Sequence, residues 1–89
     1  MAINQSQIEK LVSLARAYGA TRLILFGSAL ESPATARDLD LACDGVQGWK
    51  LYALASRLEE ALHTSLDIFP LSPPTCFTRL IESKGRVLL

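Results

Sequence analysis

The stretch Asp38-Leu39-Asp40-Leu41-Ala42-Cys43 constrains this chain more than any other. Successive side chains on a β-strand leave opposite faces, so strict alternation of this kind reads as a strand with one apolar and one acidic face. Leu39 and Leu41 point into a core. Asp38 and Asp40 leave the other face together, with Cα atoms ~6.6 Å apart. The chain must therefore build a sheet that tolerates two neighbouring carboxylates on one side. Such a pair repels, and one member has a raised pKa unless a cation lies between them. A divalent ion removes that penalty, and hard oxygen donors without a nearby His or Cys favour Mg²⁺ over zinc.

The rest of the chain supplies the elements around that strand. Ile8, Leu11, Val12, Ala15 and Tyr18 recur at helical spacing; Ser6 with Glu9 is placed to form a capping box and Gly19 to end the helix. Arg22 to Phe26 is apolar on both faces, the mark of a strand in the middle of a sheet, and Gly27 terminates it. Ser28 to Arg37, with Ser32, Pro33, Ala34 and Thr35, reads as a loop with room for one helical turn. After Asp44-Gly45, Leu51, Leu54, Ala55, Leu58 and Leu62 mark the buried stripe of a second helix. Ser65 to Phe69 reads as a third strand. Ser72 is placed to cap a third helix, with Phe77, Leu80 and Ile81 as its apolar side and Gly85 as its stop. Val87 to Leu89 can add a short edge strand. The order α-β-β-α-β-α-β predicts an α/β (α+β) fold, a small mixed sheet flanked by helices, in one domain spanning residues 1–89.

Two further features surround the acidic strand. Gly27-Ser28 leads out of the central strand; a glycine allows close backbone approach, and backbone N–H groups with a small hydroxyl can cradle phosphate oxygens. Asp67, inside Leu66-Asp67-Ile68-Phe69, would be expensive to bury unpaired, and it converges on Asp38 and Asp40 if the third strand lies beside the second. Asp44 shares their face but lies ~13 Å from Asp40 along the strand, too far to share an ion. A phosphate-gripping turn facing three carboxylates suits in-line phosphoryl or nucleotidyl transfer assisted by two metal ions.

Gly27-Ser28, nine residues, then Asp38-Leu39-Asp40-Leu41, with Asp67 on a later strand, resembles the polymerase β-type nucleotidyltransferase superfamily, and the short length is most similar to its minimal members, the MNT or MntA-like antitoxins. The resemblance covers nearly the whole chain. It implies that Asp38, Asp40 and Asp67 are the catalytic acids and hold two Mg²⁺ ions, that Gly27 and Ser28 contact the nucleotide triphosphate, and that Asp67 helps deprotonate the acceptor hydroxyl. It further implies a HEPN-type toxin as partner, silenced by transfer of AMP from ATP to a tyrosine, and assembly with that partner or with further copies of the chain. Arg37, before the first acid, departs from the small or acidic residue common there.

Other readings stand beside this one. Asp67 can instead be paired with Arg22 or Arg86. Ser28 can be a plain turn residue, His63 a cation at a helix C-terminus, and Trp49 and Tyr52 ordinary packing residues with a lesser possibility of walling an adenine ring. A non-catalytic module that neutralises its partner by stoichiometric binding fits the same sequence; transfer to a small molecule such as an aminoglycoside fits less well, because 89 residues leave no room for an acceptor domain.

Composition narrows the class. Nine basic and nine acidic side chains give no net charge, which argues against non-specific nucleic-acid binding. Forty-nine per cent apolar residues suffice for a core. No apolar run approaches the ~20 residues that span a bilayer, the N-terminus does not read as a secretory signal, and two cysteines are too few for a disulfide framework; a reduced, cytoplasmic protein is the expectation.

Overall fold

The computed structural model describes residues 4–27, 38–46 and 48–89, and within them the expected order of elements is present. Helix α1 spans Gln5–Ala17, β1 Arg22–Phe26, β2 Leu39–Asp44, α2 Trp49–Leu62, β3 Leu66–Pro70, α3 Cys76–Lys84 and β4 Arg86–Val87. The sheet is mixed, in the order β3-β2-β1-β4. β1 runs antiparallel to both β2 and β4, whereas β2 and β3 are parallel. A parallel pair needs a long crossover, and α2 provides it.

Both faces of β1 are buried, as an apolar run in a central strand requires. Leu23 and Leu25 join Leu39, Leu41 and Cys43 of β2 in a core with Leu11 and Ala15 of α1 and with Leu51, Leu54, Leu58 and Leu62 of α2. Ile24 and Ala42 point to the opposite face, where Leu71 and Ile81 cover them. Two helices thus lie on one side of the sheet and α3 on the other. Among the described residues, no helix is long and apolar enough to cross a membrane.

The helix starts differ from expectation. Asn4, not Ser6, caps α1, with Gln7 closing a reciprocal capping box. Thr75, not Ser72, caps α3 with Thr78 as its partner, three residues later than the expected start. In both cases the true pair is a side chain with a hydrogen-bonding neighbour three positions on. Gly19 does end α1: at φ +95° it lets the Ala20 amide reach back to the Ala15 carbonyl at 2.9 Å. Two packing expectations fail. Trp49 and Tyr52 are 74% and 78% exposed, and on α3 it is Thr78 and Ile81 that are buried, while Phe77 and Leu80 stand half open to solvent.

Candidate active site

Strand register decides which acids meet. β2 and β3 pair with Asp40 opposite Asp67, and β2 and β1 pair with Asp40 opposite Phe26, so Asp67, Asp40 and Phe26 form one row across three strands. Neighbours in a row share a face and lie ~4.8 Å apart. That face is the one away from α1 and α2, since Leu39 and Leu41, the neighbours of Asp40 along β2, point into the core beneath those helices. Asp38 is exposed and stands immediately before β2.

The electrostatics follow from this crowding. The Asp40 carboxyl is held above its ordinary pKa, chiefly because it is partly buried and then because the charges of Asp67 and Asp38 oppose its ionisation. Asp40 is the focus of the cluster. Asp67 is exposed on the edge strand β3, so the burial penalty expected for it does not arise. Its alternative role as a salt-bridge partner is not seen either: the ion pairs among the described residues are Arg22–Glu82 at 3.1 Å and Arg57–Glu60 at 3.8 Å.

Gly27 closes the site from the β1 side. It has φ +78°, and a Cβ built there would run into the Asp40 carboxylate. Glycine is therefore required twice, by the left-handed backbone and by the carboxylate lying against it. Ser28 and Arg37, with the loop between them, lie outside the described residues, so of the proposed phosphate cradle only Gly27 can be placed.

The donor chemistry suits a hard cation, being all carboxylate oxygen with mutual repulsion to relieve. Among the described residues, however, no three acidic, His or Cys side chains already close around a common point. The arrangement is an open pair, Asp40 with Asp67, with Asp38 acting on Asp40 through its charge. Mg²⁺ commonly uses one or two carboxylates together with substrate phosphates rather than an all-protein cage, so the set fits Mg²⁺ delivered with a nucleotide.

Residues flanking the acids serve the fold. Asp44, at the far end of β2, accepts hydrogen bonds from the Ser72 hydroxyl and the Gly45 amide, each at 3.0 Å, and so ties the segment after β3 to the end of β2. Buried Cys43 has its thiol pushed up to about 11 by burial and then by the Asp44 charge, while Cys76 is exposed; both are free. His63 caps the end of α2 in a left-handed conformation and lies on the surface.

Sequence reading missed one neighbour of the acids. Phe26, Phe69 and Phe77 form a closed aromatic triangle with ring centroids 5.7–5.9 Å apart. Phe69 lies opposite Ala42 in the next row of the same face. The small Ala42 side chain beside Phe69 in that row leaves room for these rings to converge. The signal was present in the sequence: Phe69 follows Asp67 at the two-residue spacing that keeps both on one face.

No family model matches the chain, and no curated protein matches it. Solved structures do. A variant of the MntA toxin–antitoxin complex, with aspartates two positions apart changed to glutamate, superposes with a TM-score of 0.80 at 19% identity, over 98% of this chain and 73% of that one. A tri-AMPylated HEPN toxin of Shewanella oneidensis in complex with its MNT antitoxin gives 0.76 at 20%, over 98% and 72%. A toxin–antitoxin structure with AMP-PNP gives 0.78 at 21%, over 92% and 72%. The fold is that of the MntA structures. The expected mixed sheet with flanking helices is thereby matched in detail by known molecules, of whose length this chain spans nearly three quarters.

Proposed function

We infer that this chain is a nucleotidyltransferase antitoxin that silences a HEPN-type toxin by moving AMP from ATP to a hydroxyl of the toxin, a tyrosine being the expected acceptor. The observation that carries the reading is the Asp67–Asp40–Phe26 row beside the Gly27 turn, on a fold shared with complexes that contain an AMPylated HEPN toxin or AMP-PNP. The whole chain, residues 1–89, acts as the minimal catalytic domain in this reading.

Asp38, Asp40 and Asp67 would hold Mg²⁺, two ions in the full arrangement, with Gly27 and Ser28 against the triphosphate. When bound, Mg²⁺ supplies positive charge against the phosphate oxygens where negative charge develops. Asp40, partly buried and then opposed by the charges of Asp67 and Asp38, anchors the site, because a nearby cation would offset both penalties on its carboxylate. Asp67, exposed on an edge strand, is open to an acceptor and takes its hydroxyl proton. The acceptor oxygen then bonds to the α-phosphorus as the bond from that phosphorus to the α,β-bridging oxygen breaks, and pyrophosphate leaves. In this reading the protein works in the cytoplasm, where ATP is available.

Purified protein incubated with ATP, Mg²⁺ and the product of the adjacent reading frame should give that partner an AMP-sized mass gain, abolished by Asp38→Ala/Asp40→Ala. No gain, or a gain untouched by the double substitution, would contradict the reading. A second reading has its own observation: Trp49 and Tyr52, one turn apart on α2, are exposed enough to bind a partner without chemistry. Toxin inhibition that survives loss of Asp38 and Asp40 would favour it.

A further inference from the structure

The aromatic triangle borders the acid row, and one of its rings stands half open to solvent. Phe26 is in register with Asp40, and Phe69 is two residues beyond Asp67 on the same face. Phe77, from the first turn of α3, packs edge-on against both rings, at 5.9 Å from Phe26 and 5.7 Å from Phe69, with interplanar angles of 80° and 81°. Perpendicular packing of this kind directs the edges of one ring at the faces of another and leaves part of the outer ring uncovered. Phe77 is accordingly 49% exposed. A ring so exposed contributes less burial to the fold than its size allows, although the apolar layer of Ile24, Ala42, Leu71 and Ile81 lies on the same side of the sheet.

We propose that Phe77, supported by Phe69 and Phe26, is the platform on which the nucleobase of the bound nucleotide rests. This inference rests on the nucleotidyltransferase reading. A nucleotide whose phosphates are held at the acid row has its base one ribose away, and among the described residues the apolar surface bordering that row on the same face is the phenylalanine cluster. Base stacking on an aromatic ring is sequence-tolerant, since every base has a π-face. Phe77 therefore contributes affinity for nucleotides over bare polyphosphate without selecting adenine. Phe77 is a binding residue here, and it takes no part in proton or phosphoryl transfer.

The test is calorimetric titration of the full chain, in Mg²⁺, with ATP and separately with inorganic tripolyphosphate. The wild type should bind ATP about tenfold or more tightly than tripolyphosphate, the scale on which base stacking acts. Phe77→Ala should bring the two affinities close together while leaving tripolyphosphate binding unchanged. Phe77→Trp should keep the preference. Phe77→Leu retains apolar bulk without a π-face and should lose it, which separates stacking from packing; thermal denaturation of each variant checks that it is folded. Equal wild-type affinity for the two ligands, or a full ATP preference in Phe77→Leu, overturns the proposal and leaves the phosphate and metal reading standing. Weaker binding of the protein partner in Phe77→Ala with the ATP preference intact also overturns it, by assigning the ring to the acceptor. Failure of the wild type to bind either ligand removes the reading on which the proposal rests.

Discussion

Asp40 is the residue on which the electrostatics and the chemistry meet. Its pKa is raised in the fold, so the folded protein binds that proton more tightly than the unfolded chain does. The resulting stabilisation is present below the ordinary carboxylate value of 3.8 and is lost as pH rises through the raised one. At neutral pH the ionised group opposes folding. Asp40→Asn should therefore raise the Tm at pH 7, with the gain shrinking below pH ~4, measured by thermal denaturation across pH. A more stable but inactive variant is the signature of a site held at the expense of stability. Gly27 faces the same carboxylate, and Gly27→Ala should destabilise by about 1–3 kcal/mol in urea unfolding, through left-handed strain and collision with Asp40. That Asp40 leaves the face opposite Leu39 and Leu41 was legible in the sequence, because alternation fixes faces. Which acid faces which was not, because register depends on how two strands slide past each other, and no local spacing encodes that. The exposure of Asp67 was misjudged for a related reason: an apolar run does not say whether its strand lies at the edge of a sheet.

At the scale of elements, the pattern of apolar residues located the helices and strands of the described residues, and the ends were less legible. Caps depend on a single side chain finding an amide three residues on, and this chain offers competing pairs, Asn4–Gln7 against Ser6–Glu9 and Thr75–Thr78 against Ser72. Thr75→Ala should lower stability by about 1 kcal/mol in urea unfolding, whereas Ser6→Ala should change it little. The buried stripe of α2 was read correctly, and its cost is large: Leu58→Ala, at a fully buried position, should destabilise by about 2–5 kcal/mol. Trp49 and Tyr52 escaped the same logic. They precede and flank that stripe, and aromatic character alone does not distinguish a core residue from a surface one. The Ser28–Arg37 segment carries the remaining part of the expected cradle and lies outside the described residues.

On the scale of the whole molecule, the three layers leave one face of the sheet divided. Among the described residues, α3 covers the Ile24–Ala42 end and no element covers the acid row at the other, with the phenylalanine triangle between them. An open acid row can accept a hydroxyl presented by another protein, and this links the architecture to the proposed acceptor. The most direct test is intact-mass measurement of the proposed partner after incubation with ATP, Mg²⁺ and either the wild-type chain or folded Asp40→Asn. The account predicts AMP-sized additions with the wild type and none with the variant, despite its higher Tm. Equal additions with both proteins would contradict it.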